Sequence, residues 1–169
     1  MVPLQPAGQI CYPSGVCFEA VSNIAGSPGY QYMSSYSNVP TRWIDTQNPG
    51  PGLSIVSPVS ANYTLKDFNV SATCGSGGRY MYISPRAVAG MERVNQILGA
   101  RLSINSGFRS PDCNSRVGGA SASYHMSGLA IDMQPGGFSR AEVVQACKDA
   151  GSNFQQTYTT TSHVHCDWR

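Results

Sequence analysis

All three histidines of the chain fall in two short stretches. One is Ser123-Tyr124-His125-Met126-Ser127-Gly128-Leu129-Ala130-Ile131-Asp132. The other is His163-Val164-His165. Two imidazoles and one carboxylate make a catalytic rather than a structural zinc set, because three protein ligands leave a fourth position open for water. Such a site polarises a carbonyl and lowers the pKa of its water toward neutrality. The expected ligands are His125, Asp132 and His165.

The elements that must position these residues are legible as alternating patterns. Leu129, Ile131 and Met133 suit a core-facing strand edge, while Ala130 and Asp132 point the other way. Gly128 suits a tight bend that returns His125 over that strand. Val164, Cys166 and Trp168 share one face of a second strand, and His163, His165 and Asp167 the other. If the two strands are neighbours, the three ligands converge.

The stretch from Ser106-Gly-Phe-Arg109-Ser-Pro-Asp-Cys113 through Ser123-x-His125-x-x-Gly-x-Ala-x-Asp132, followed by His-x-His, resembles the zinc peptidases. That superfamily includes D-Ala-D-Ala carboxypeptidases, lysostaphin-like endopeptidases and the hedgehog domain. The resemblance is closer to the actinomycete carboxypeptidase and related bacterial and phage murein peptidases. It covers roughly residues 62–169 and leaves residues 1–60 outside. It implies an enzyme that cleaves a bond involving a D-amino acid in peptidoglycan stem peptides or crosslinks. By resemblance, Arg109 meets the substrate carbonyl or carboxylate, as a guanidinium fork is suited to do.

Many relatives carry Asp or Glu three residues before the last zinc histidine, as general base. Here that position is Ser162. Proton transfer then falls to His163, or to Asp167 two residues past His165. Ser123 and Tyr124 are candidates for orienting a ligand or contacting substrate. The serine also supports an alternative: a zinc-bound wall-binding module without turnover. A third reading is a structural virion or envelope component in which residues 1–60 do the main work.

Six cysteines in a chain rich in Gly, Ser, Thr and Pro point to an oxidising compartment and three disulfides. No Cys-x-x-Cys is present, which argues against a second, cysteine-based metal site. Cys11 and Cys17 lie close enough to close a small loop. By resemblance Cys113 pairs with the cysteine upstream, here Cys74, which leaves Cys147 for Cys166. The expected location is extracellular or periplasmic, or a phage virion.

At 169 residues, with 12% charged residues and a net charge of +2, the chain offers no basic run for nucleic acid. No apolar stretch is long enough to span a membrane. The first residues lack the basic and apolar regions of a signal peptide.

Ser84-Pro85 opens a helix with apolar face Ala87, Met91, Val94 and Leu98, ended by Gly99. A strand follows over 102–106. Ser110-Pro111 starts a short helix to about Arg116, and Gly118-Gly119 breaks it. Ser139-x-x-Glu142 is a capping box for a third helix ended by Gly151, with apolar face Val143, Val144, Ala146 and Cys147. The fold class is therefore α+β, a small antiparallel sheet with flanking helices forming the zinc site. Residues 61–169 form the peptidase domain. Residues 1–60 read as a loop-rich arm or small module, with short strands or a short helix after Cys17 and the aromatics Tyr30, Tyr32, Tyr36 and Trp43 between turns.

Overall fold

In the computed structural model residues 3–31 and 39–169 are described; Tyr32 and Tyr36 lie outside them. The elements run β1 (Gln5–Cys11), β2 (Cys17–Ser22), β3 (Ile44–Asp45), a 3-10 turn (Leu65–Phe68), β4 (Val70–Ser71), β5 (Gly75–Ser76), β6 (Tyr80–Met81), α1 (Pro85–Leu98), β7 (Ile104–Ser106), α2 (Pro111–Arg116), β8 (Ala130–Met133), α3 (Arg140–Asp149), β9 (Phe154–Thr157) and β10 (Val164–Asp167). The class is α+β. A six-stranded antiparallel sheet in the order β5-β4-β7-β8-β10-β9 carries the candidate site.

The helices start where their caps dictate. Ser84, Ser110 and Ser139 each accept a backbone N–H of the following turn, and proline occupies the first turn of α1 and of α2. Glu142 completes the capping box of α3. Gly99 ends α1 in the left-handed conformation. The buried face of α1 is Ala87, Val88, Gly90, Met91, Val94 and Asn95; Leu98, expected on that face, is only partly covered. Gly90 is there because Trp168 lies against it: a Cβ would come within 2.3 Å of the indole ring. On α3 the buried residues are Val143, Ala146 and Cys147, with Val144 half-buried.

β10 and β8 are adjacent and antiparallel, with His165 directly opposite Asp132. The alternation expected of β10 holds: Val164, Cys166 and Trp168 enter the core. The strand expected over 102–106 is shorter at its start, because the Leu102 amide is taken by the Asn95 side chain and not by a neighbouring strand.

Cys17 opens a strand, not a helix: β1 pairs with β2 as a hairpin, and the Cys11–Cys17 disulfide closes its turn. Ile10, Phe18 and Ile44 belong to the same apolar cluster as Met81, Met91, Ile131 and Trp168. The Tyr12 hydroxyl donates to the Ile83 carbonyl at 2.8 Å, and the Tyr30 hydroxyl to that of Tyr80 at 2.5 Å. Buried Asp45 accepts two 3.0 Å bonds from the Arg79 guanidinium. Cys74 is joined to Cys113 and Cys147 to Cys166. Among the described residues no helix is long and apolar enough to cross a membrane.

Candidate metal centre

His125, Asp132 and His165 each offer one ligand atom, all within 4.8 Å of one another. His125 Nε2 is 3.2 Å from Asp132 Oδ1 and 3.2 Å from His165 Nδ1, and His165 Nδ1 is 3.0 Å from Asp132 Oδ1. Zinc bonds of about 2.0–2.1 Å at tetrahedral angles place ligand atoms ~3.3 Å apart, close to these edges. Two of the ligands meet because of the strand register. The third arrives through the turns of residues 120–128. There the Ser123 hydroxyl accepts the His125 amide at 3.3 Å, and the His125 carbonyl accepts the Arg109 amide at 3.1 Å. Gly128 at φ 71° allows the chain to return onto β8; a Cβ there would meet the Tyr82 carbonyl at 2.3 Å.

The outer partners aim the lone pairs. His125 Nδ1 is 2.7 Å from the Gly107 carbonyl, which can only accept, so Nδ1 carries the proton and Nε2 faces the cluster. His165 Nε2 is 3.1 Å from Asp167 Oδ2, which leaves Nδ1 for the cluster. Burial pushes His125 below the ordinary imidazole value. Burial opposes the charge on Asp132, but the two imidazoles outweigh it and hold the carboxyl well below the usual carboxylate range. Burial likewise opposes charge on His165; its hydrogen bonds to Asp132 and Asp167 prevail and hold it up at about 8. A cation entering at Nδ1 therefore displaces a proton. Two aimed imidazole nitrogens and an anionic oxygen converging on one point fit a divalent metal.

Arg109 is not a free cation facing substrate. Its Nε donates to Ser106 Oγ at 3.1 Å, one terminal nitrogen to Asn114 Oδ1 at 3.2 Å, and the other to Asp132 Oδ2 at 3.3 Å. It grips the outer oxygen of a ligand while lining the cleft. His163 lies within reach of the same carboxylate, with Nε2 3.8 Å from Asp132 Oδ2 and its ring beside Tyr158. Ser162 is turned away and donates to Gln134 Oε1 at 3.0 Å.

Asp167, one of the two candidates for the base, lies behind His165. It is fully buried, sits on the outer nitrogen of His165, and is held at both oxygens by Arg169 at 2.7 Å. The Tyr124 ring lines the cleft, 4.1 Å from the Arg169 guanidinium. Sequence reasoning passed over Arg169, although a strand period of two from Asp167 put it on the right face. It also passed over Phe154 and Tyr158, which wall the cleft.

That cleft, of about 410 Å³, holds Arg109, His125, Tyr158 and His165 on its walls. A larger hollow of about 670 Å³ lies elsewhere, between the N-terminal arm and α2, lined by Tyr30, Arg79 and Arg116. The chemistry belongs to the smaller one, because the ligands are there.

Residues 61–167 match the family model described as Peptidase M15. Over 96 residues the chain is 34% identical to the zinc D-Ala-D-Ala carboxypeptidase of Streptomyces albus G, a match that takes in 53% of this chain and 38% of that protein. The chain thus spans well under half the length of that relative. With most of its length, and all three candidate ligands, inside the matched region, the chain belongs to the peptidase M15 family.

Proposed function

We propose that the protein is a zinc-dependent peptidase that cleaves a bond involving a D-amino acid in peptidoglycan stem peptides or crosslinks. The observation that carries this reading is the pair of aimed imidazoles on a buried carboxylate, in a chain whose similar relative is a zinc carboxypeptidase. His125, Asp132 and His165 are the residues that hold the zinc. Bound there, zinc supplies Lewis acidity toward a peptide carbonyl and a water acidified toward neutral pH. Arg109 fixes the orientation of Asp132 and keeps unused N–H donors for the substrate oxygen. His163 moves the proton, because the Ser162 hydroxyl is not a base near neutral pH and Asp167 is enclosed. Residues 61–169 are the catalytic part and residues 1–60 an arm that braces it.

Three disulfides and a cell-wall substrate support an extracellular or periplasmic setting, or a lytic part of a phage virion or envelope assembly. The test is digestion of isolated cell walls by the zinc-loaded protein, with mass spectrometry of the released muropeptides. New amino groups and a defined cleavage product are expected, and chelation should abolish them. The mass of the product distinguishes removal of a terminal D-alanine from opening of a crosslink. Ser162 favours one second reading, a zinc-bound module that binds walls without turnover. Protein that pellets with walls and releases no amino groups would establish it.

A further inference from the structure

The Asp167–Arg169 pair has no assigned part in the chemistry. Asp167 is fully buried, yet its carboxylate has only two side-chain partners among the described residues: the Nε2–H of His165 and the guanidinium of Arg169. Arg169 meets both oxygens in a fork, Nε on Oδ1 and a terminal nitrogen on Oδ2, each at 2.7 Å. Such bidentate pairs fix the plane of a carboxylate, not merely its position. Arg169 is itself fixed. Its guanidinium lies 4.1 Å from the Tyr124 ring centroid and 4.5 Å from that of Phe154. Tyr124 is the neighbour of His125 in the chain, and Phe154 on β9 pairs directly across from Asp167 on β10. One side chain therefore joins the turn that carries one ligand to the two strands beside another.

We infer that Arg169 is a positioning residue for the metal centre, acting through Asp167. Stacking holds the guanidinium and the fork holds the carboxylate plane. The carboxylate then holds the His165 ring so that Nδ1 points at Asp132 Oδ1. Remove the guanidinium and the carboxylate is free to turn, so the His165 ring loses its outer anchor. Outer partners of this kind typically change metal affinity by about ten- to a hundredfold. The inference rests on the reading of His125, Asp132 and His165 as zinc ligands.

The experiment is a zinc competition titration against a chromophoric chelator, with wild type, Arg169→Gln, Arg169→Lys, Asp167→Asn and the Asp167→Asn/Arg169→Gln double variant. Arg169→Gln should bind zinc about ten- to a hundredfold more weakly. Arg169→Lys should recover part of the loss, since an ammonium keeps the charge but not the fork. In the Asp167→Asn background, Arg169→Gln should cost nothing further, because the carboxylate through which it acts is gone. If Arg169→Gln does not fold, the double variant still decides the matter, as it leaves no unpaired buried carboxylate: its zinc affinity should equal that of Asp167→Asn alone. Unchanged zinc affinity in Arg169→Gln with a raised KM would overturn the inference and make Arg169 a substrate contact. An equal loss with and without Asp167 would overturn it as well. Wild type that takes no zinc would instead remove the functional reading on which it stands.

Discussion

The N-terminal arm and the ligand-bearing sheet are held by different physics. The arm is fixed by burial: Ile10, Phe18 and Ile44 enter the common core, with a few polar ties such as Tyr12 to Ile83 and Asp45 to Arg79. Around β8 and β10 apolar burial is joined by a cluster of buried ionisable groups, namely His125, Asp132, His165 and Asp167. An apolar contact accepts any side chain of suitable volume. A buried charge accepts only a partner of the right type at the right distance. All four of these ionisable groups lie inside residues 61–167, the region that matches the family model.

That contrast breaks first at the ligands. Asp132→Ala removes a third of the ligand set and the shared oxygen, and should abolish zinc binding in a metal analysis of the purified protein. The same change unpairs the Arg109 guanidinium and both imidazoles, so stability should fall as well, and the metal analysis is read on protein shown to be folded by circular dichroism. Persistence of stoichiometric zinc would sink the ligand assignment.

Phe18→Ala should do the reverse. Phe18 is fully buried and meets Tyr12 edge-on, so the change should cost about 3–5 kcal/mol in denaturant unfolding. The zinc affinity of the remaining folded protein should not move. A large change in zinc affinity would show that the arm shapes the site and erase the comparison.

His163→Ala should slow turnover by roughly a hundredfold with zinc occupancy unchanged, the signature of a lost proton-transfer group. Full activity in this variant would make Asp167 the better candidate.

The smallest effect belongs to the polar tie of the arm. Burial works against the charge on Asp45, but the Arg79 guanidinium and the amide of Gln47 outweigh it and hold the carboxyl below its ordinary value. A carboxyl lowered on folding stabilises above its unfolded pKa of about 3.9, and that stabilisation fades as the pH falls through the lowered value. Asp45→Asn should therefore cost about 1–3 kcal/mol at neutral pH and less at acid pH, read from urea unfolding at the two conditions. A cost that stays the same on acidification would assign it to packing instead of charge.

Much of this was legible from the chain. Serines before proline and the serine–glutamate box marked all three helices, because caps act within a few residues. The ligand triad and the strand phases were visible because alternation is local. β9 was not, since Phe154-Gln-Gln-Thr157 is a largely exposed edge with no apolar rhythm. The two-residue strands β4 and β5 are too short to carry any period. The face of Asp167 was legible, but not its contact with the outer nitrogen of His165, because the face of a strand does not say which ring nitrogen a neighbour meets. The hold on His125 by the Gly107 carbonyl was beyond reach, since no side-chain pattern announces a backbone acceptor.

The Cys147–Cys166 bridge ties α3 to the residue beside His165, and this has a consequence for the order of maturation. Thiolates are softer donors than imidazole or carboxylate and win zinc from them. Before oxidation the chain carries six thiols. Metal met at that stage is captured by sulfur, and the sulfurs that hold it can no longer pair with one another. Oxidation first, metal second is thus the productive sequence of events. Refolding with zinc supplied before the oxidant should give less soluble, zinc-active protein than refolding with zinc supplied after it, and equal yields would show that the bridges close faster than the thiols can trap the ion.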